Sequence, residues 1–544
     1  MAVTKEIVFE NYVLDNVHGF IGLTFMEDKI ERLPVFKRLQ DISQLGLVKR
    51  IFPGALHNRY IHSLGVMHVI DQMALHLGEF SLAERQLMRL AGMLHDLGHY
   101  PLSHDLEQVY DGKPNAVVSE IPSVRESFLD DIQKDIYKIT GMKNGKEGKD
   151  LSVQMQIPKR ELVIKGPYHH ETVTTHVIRK STSIENIIIE GIKLGFFNDK
   201  NYKWGKKSEE CAVKEFAHKI IDDICALIQG NSDYEYREGA FPTHFTAMLQ
   251  MLHSELDADR IDYLLRDATF SGASYGAFDL GVLLQNLAMT KVKIGDLEAW
   301  IVGVQEKGIG CADQFMVNRY LAYTQIIFNK YTSVVAKMLR EVVYWMMNSG
   351  SDLKFYTPKD IYGIIDMHEK NEAYFAFTDN YFFEKLNSIR EKYHGCPKDI
   401  FYFVEQLKRF RALDIKKEDV HSGNLKKQRE YIKTSDFYAQ LEKFMEERDF
   451  SKEDGLYILS QKKITNHMPY KDFKKNFDAY NATHERKLDF SKYELDRLMD
   501  GLAVIGENGE TMLLIDAPRS IMTALYDMQQ IMVREYIFPV KSVS

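Results

Sequence analysis

Residues 55–104 read ALHNRYIHSLGVMHVIDQMALHLGEFSLAERQLMRLAGMLHDLGHYPLSH, and two helical patterns lie inside them. The first is predicted from about Tyr60 to Leu77, because His62, Val66, Val69, Met73 and Leu77 recur on one helix face. The second opens on Ser81 and Glu84, the spacing of a capping box. It carries Leu87, Leu90, Ala91 and Leu94 on one face and ends at His95-Asp96, before Gly98. A histidine on one buried helix and a His-Asp pair closing the next can converge on one metal ion. Three ligands are then present, and a fourth is needed.

The fourth candidate lies downstream, in AMLQMLHSELDADRIDYLLRD, which reads as one strong helix from Ala247 to Asp267. Asp259 sits in its otherwise apolar stretch, with Tyr263 and Asp267 at i+4 and i+8. A buried carboxylate is so costly that it is paired, metal-bound or neutralised. His62, His95, Asp96 and Asp259 make a set of two nitrogens and two carboxylates. Such a set suits manganese, iron, nickel or zinc, with magnesium an option where substrate phosphates contribute.

Composition bounds the rest. The 544 residues are 45% hydrophobic, enough for one large domain with appendages. With 70 basic and 78 acidic residues the net charge is -8, which argues against a nucleic-acid-binding surface. Four scattered cysteines form no CxxC pair, so a disulfide framework is not expected and a cytoplasmic setting is. No apolar run suggests a leader or a membrane span.

The fold class expected is mainly α, with small β-hairpins. A strand is predicted at Glu6–Phe9, a loop at Leu14–Gly19, and an amphipathic helix from Pro34 to Leu47 stopped by Gly46. Glycine- and lysine-rich segments mark inserted loops at about 108–165 and 198–210. Alternation around Gly295-Asp296 predicts a hairpin over 288–306, and helix is expected from Ala312 to about Met347. Residues 1–345 form the expected core. Residues 346–544 form a mostly helical accessory region, with a hairpin-like piece at Leu502–Ile515.

The chain resembles the HD-domain phosphohydrolases, and within them the deoxynucleoside triphosphate triphosphohydrolases. The blocks that carry the resemblance are Asp15-x-Val-His-Gly19, Phe36-Lys-Arg-Leu39, Gln44-Leu-Gly46, Phe52–Val66, His95-Asp-Leu-Gly-His-x-Pro-x-Ser-His104, His170-Glu171 and Asp257-Ala-Asp-Arg-x-Asp-Tyr263. The resemblance implies an HD-type helical core. It also implies an enzyme that cleaves dNTPs to deoxynucleoside and triphosphate, with His62, His95, Asp96 and Asp259 holding the metal. His99, His104, His170 and Glu171 would line the reacting phosphates. His104 would be the acid, with Glu107 on its other nitrogen, and His170, oriented by Glu171, would meet the attacking water. Gln44, Leu45, Arg59, Arg260, Tyr263, Asp267, Arg319 and Lys330 would contact substrate. Val17 and His18 fall where the family binds an activating nucleotide. Ungapped counting puts Ile327 where relatives have a second sugar-facing tyrosine. By the same likeness, a homo-oligomer, tetramer or hexamer, is expected, and dNTP depletion in antiviral defence is the role considered. Two alternatives stay open: an HD phosphodiesterase acting on a signalling nucleotide, and a nucleotide sensor without turnover.

Overall fold

The computed structural model describes residues 7–111, 167–197, 209–231, 244–327, 329–349, 353–392, 396, 398–409, 455–464, 470–483, 490–525 and 530–539. Both loops expected as insertions fall largely outside these residues. The chain opens with a hairpin, β1 (Asn11–Asp15) and β2 (Gly19–Leu23), paired Asp15 to Gly19 through Asn11 to Leu23. The sequence reading placed a strand at Glu6–Phe9 and a loop at Leu14–Gly19. That reading was misled because Tyr12, Leu14 and Phe20 are exposed, against the usual pattern.

Short helices α1 (Phe25–Glu31) and α2 (Pro34–Lys37) follow. The single helix expected to Leu47 is broken: Arg38–Asp41 tightens to a 3-10 turn, Ile42 is extended, and a second 3-10 turn spans Gly46–Arg50. Ser43 instead pairs with Asn58 in an isolated bridge. The two organising helices form as expected. Helix α3 (Arg59–Leu77) is capped by Asn58 and stopped by Gly78 at φ 72°, and α4 (Leu82–Leu94) opens with the Ser81–Glu84 capping box. A buried ion network pins α4 in place. Arg89 donates to Glu27 of α1 at 2.6 and 2.8 Å, to Asp71 of α3 at 2.9 Å and to the Gly22 carbonyl at 2.7 Å. Removing one partner would strand a buried charge, which costs about 3–5 kcal/mol.

Helices α5 (His104–Asp111), α6 (His170–Lys180), α7 (Thr182–Lys193) and α8 (Glu209–Gln229) follow, and α8 packs against α4, α6 and α7. The helix expected over Ala247–Asp267 is two helices, α9 (Phe245–Gln250) and α10 (Ala258–Ser271). Asp257 breaks it: its side chain accepts from the Arg260 N–H at 2.7 Å, starting α10 afresh. Gly65 is what lets α10 cross α3 closely, since a Cβ there would run into Asp262 and Arg266.

The hairpin expected at 288–306 is β3 (Leu287–Ile294) and β4 (Leu297–Gln305). The helix expected from Ala312 is α11 (Ile309–Ala322), a π turn over Tyr323–Ile327, and α12 (Lys330–Asn348), restarted by an Asn329 cap. Helix α13 (Asp379–Lys392) follows, and β5 (Gly455–Ile464) pairs with β8 (Gln530–Pro539). The hairpin β6 (Ala503–Ile505) and β7 (Thr511–Leu513) extends the earlier one into a four-stranded sheet ordered β3-β4-β6-β7, with β4 and β6 parallel. Buried side chains from Ile21 to Met522 form one continuous core, so the apolar interior runs across residue 345. Among the described residues no helix is long and apolar enough to cross a membrane.

Candidate metal centre and active site

His62 lies in the first turn of α3, His95 caps α4, Asp96 follows it, and Asp259 lies in the first turn of α10. The structure brings these four together. His62 Nε2 is 2.9 Å from Asp259 Oδ1 and 3.8 Å from Asp96 Oδ2; His95 Nε2 is 3.3 Å from Asp96 Oδ1 and 3.9 Å from Asp259 Oδ1. Donor atoms around a metal at roughly 2.0–2.2 Å stand about this far apart. His62, His95 and Asp96 are a group that could hold a metal ion.

The other side of each imidazole is fixed. His62 Nδ1 bonds Asp262 Oδ2 at 2.7 Å, and His95 Nδ1 bonds the Gly92 carbonyl at 2.8 Å. Both Nε2 atoms are therefore aimed inward, and both are buried without a hydrogen-bond partner. Two buried imidazole nitrogens left open beside two carboxylates fit a cation. The electrostatics agree. Burial opposes charge on His62, yet the neighbouring carboxylates of Asp259 and Asp262 lift its pKa to about 9. Burial also opposes charge on Asp96, and less so on Asp259, whose side chain is 38% exposed rather than buried as its apolar stretch suggested. Arg59 and the imidazoles outweigh this at Asp96, and His62, His95 and Arg260 do so at Asp259, holding both below the usual carboxylate range. The pocket thus attracts positive charge, and an entering cation would displace the proton from His62.

Beside it stands a histidine cluster. His99 is fully buried, stacked on His170 at 4.1 Å between ring centres, with His104 edge-on at 4.9 Å. Both nitrogens of His99 lack a partner, and Nε2 is 3.5 Å from Asp96 Oδ1. Burial and the nearby Arg59 push its pKa well down, so it is neutral. Glu107 serves two rings: His104 Nδ1 lies 2.6 Å from one oxygen and His170 Nδ1 2.7 Å from the other. The expected partner of His104 is therefore in place. The expected orientation of His170 by Glu171 is corrected, because Glu107 holds that ring and Glu171 lies nearer His169, at 4.0 Å. Although His99, His104 and His170 are close enough to share a metal, the near-parallel rings of His99 and His170 send their in-plane lone pairs side by side. The cluster suits phosphate oxygens better. Gly98 lets this turn touch α6, where a Cβ would strike the Thr174 and His170 backbone.

Backbone strain accompanies the cluster. Leu102 and Ser103, between His99 and His104, adopt φ of 58° and 54°, the two left-handed non-glycine residues among those described. Each such residue costs about 1–2 kcal/mol, so the surroundings must hold the turn. Ser103 Oγ donates to the Ser43 carbonyl at 2.6 Å and accepts from Arg59 Nε at 2.9 Å.

The expected substrate contacts are placed unevenly. Arg59 is engaged with Asp96 at 2.8 Å. Gln44 is buried near it, its amide oxygen without a partner, and Leu45 is half-buried beside it. Arg260 pairs with Asp257, and Asp267 with His57 at 2.8 Å. Tyr263 faces a second tyrosine hydroxyl, that of Tyr323 at 3.3 Å, four residues before Ile327 in the same π turn. Arg319 pairs with Glu255 and lies over the Tyr323 ring. Lys330 opens α12, but its side chain is outside the described residues. Val17 donates its backbone N–H to Asp15 in the β1–β2 turn. His18 has its ring 3% exposed, with Nε2 2.7 Å from Asp262 Oδ1.

Sequence reasoning quoted Asp262 within the Asp257–Tyr263 block but gave it no role; it joins His18, His62 and Arg266, and Arg266 in turn donates to Asp15 at 2.7 Å. The signal was the i, i+4 pair of Asp262 and Arg266 on an apolar helix.

Residues 59–166 match the HD-domain family model. An uncharacterized Mycoplasma pneumoniae protein, the MG461 homolog, is 27% identical over 325 residues, covering 59% of this chain and 56% of that one. Human deoxynucleoside triphosphate triphosphohydrolase SAMHD1 is 41% identical over 105 residues, 18% of this chain and 16% of that one. The chain spans about half the length of the first curated relatives it matches. Among solved structures, a Bacteroides thetaiotaomicron phosphohydrolase shares the fold at a TM-score of 0.53 and 17% identity, over 97% of this chain and 99% of that one.

Proposed function

We propose, from the premise that this chain is an HD-domain protein, that it is a metal-dependent phosphohydrolase whose substrates are dNTPs, cleaved to deoxynucleoside and triphosphate. The observation that carries this is the pair of buried Nε2 atoms, on His62 and His95, left open between Asp96 and Asp259 beside a second histidine cluster. His62, His95, Asp96 and Asp259 would hold the cation. A divalent cation bound there supplies Lewis acidity and a water of lowered pKa. Manganese, iron, nickel or zinc suits the donors, and magnesium the substrate phosphates.

The chain's own residues do the rest. Arg59 and His99 would face the anionic phosphates. His170, kept neutral by burial against the pull of Glu107, is able to accept a proton from the attacking water. As water oxygen bonds the α-phosphorus, the bond from phosphorus to the 5′ oxygen breaks, and His104 gives that oxygen its proton. Glu107 steadies both rings, so proton gain at His170 and loss at His104 occur across one carboxylate. Tyr263 and Gln44 would bound the sugar. An activating nucleotide, a symmetric oligomer and a role in depleting dNTPs against viral replication extend the same reading.

The test is direct. Purified chain with manganese or iron is given each dNTP, and products are separated by ion exchange. Deoxynucleoside and triphosphate are expected; nucleoside monophosphate as main product, or hydrolysis of signalling nucleotides alone, would overturn it.

A further inference from the structure

Asp379 comes from a part of the chain that no motif reaches, yet it sits between two loops of the site. Its Oδ1 accepts the backbone N–H of Leu102 at 2.7 Å. Its Oδ2 accepts from the Ser43 hydroxyl at 2.6 Å, the Ser43 N–H at 3.2 Å and Lys49 Nζ at 2.9 Å. The carboxylate is buried, 5% exposed, and opens helix α13. One neighbour is the left-handed turn that ends in His104; the other immediately precedes Gln44. Arg38 ties down the same segment, donating to the Phe377 carbonyl at 2.8 Å and to the His99 carbonyl at 2.8 Å.

A strained turn persists only where its surroundings over-determine it. The Leu102 N–H would be buried and unpaired without Asp379. We infer that Asp379 is a positioning residue, which holds the Leu102–Ser103 turn against the Ser43–Gln44 loop and so fixes His104 at its working place. The region beyond residue 345 thereby completes the catalytic half of the site. The inference rests on the proposed role of His104 as acid.

The experiment uses the full chain with Asp379→Ala, Asp379→Asn and His104→Ala. Metal content, amide hydrogen exchange over residues 100–106, and turnover of a dNTP and of bis(p-nitrophenyl) phosphate are measured. Nitrophenolate leaves without a proton, so that substrate does not need His104. For Asp379→Ala we expect unchanged metal, faster exchange over 100–106, and a drop in dNTP kcat of about 10²-fold with KM within about threefold. Nitrophenyl turnover should stay within about threefold, and the double variant with His104→Ala should be no worse than His104→Ala alone. Asp379→Asn, which keeps one acceptor, should fall between. Loss of metal, equal losses on both substrates, or unchanged exchange would overturn the inference. A wild-type chain that releases no triphosphate sinks the activity reading instead, and Asp379 then stands or falls on the exchange result.

Discussion

His62, His95 and Asp259 sit in the terminal turns of regular helices, whereas His99 and His104 flank a turn with two left-handed residues. The cation pocket takes its precision from regular helices: where α3 meets α10, His62 is tied to Asp262, and His95 is tied to a carbonyl one turn back in α4. The histidine cluster takes its precision from distant partners, Glu107 between two rings and Asp379 under the turn. A helix supplies order locally. An irregular segment has to borrow it through long-range hydrogen bonds, and that makes the second half the easier one to loosen.

The sharpest break comes from the pocket. Asp259→Ala should empty it and lower turnover by on the order of 10³-fold or more, with metal content measured alongside initial rates. His104→Ala should separate the two halves, keeping the metal while kcat drops by about 10²–10³-fold. Asp262→Asn, one bond behind His62, should weaken metal affinity by about 10–100-fold, read by competition with a chelator.

The site half that is legible in the sequence is the helical one. Helical spacing brought out α3 and α4, the Ser81–Glu84 box placed the start of α4, and a carboxylate in an apolar stretch marked Asp259. Glu107 came with the family resemblance as the partner of His104, but its second partner, His170, is 63 residues away and leaves no local trace. Asp379 is 277 residues from Leu102, and in sequence it looks like any acidic residue at a helix start. The breaks in the three overlong helices were missed for a related reason. Apolar spacing continues through Ile42, Asp257 and Asn329, while the cap or bridge that stops each helix depends on a single polar side chain or on Ser43 meeting Asn58.

Acid should affect the histidine half in a defined direction. Burial opposes the charge of Glu107, but His170 and His104 outweigh it and hold its pKa below the ordinary 4.5. His170 lies below its ordinary 6.5, because burial prevails over Glu107. For both groups the unfolded chain binds more protons in the window below the ordinary value. Their stabilisation is therefore present above it and lost as pH falls toward the folded pKa. Thermal melts should drop between pH 6.5 and 4.5 as His170 comes into play, and further below that as Glu107 does. Glu107→Gln should flatten the lower part. The smallest effect belongs to Ser81→Ala, which removes the cap of α4 at a cost of about 1 kcal/mol in denaturant melts while leaving kcat unchanged.

Hydrolysis of a dNTP in water enriched in heavy oxygen joins the cation pocket and the histidine cluster in one reading. With the metal-loaded chain, we expect one heavy oxygen on the terminal phosphate of the released triphosphate and none on the deoxynucleoside. Label on the deoxynucleoside, or release of a labelled monophosphate, would contradict water attack at the α-phosphorus with His104 protonating the departing 5′ oxygen.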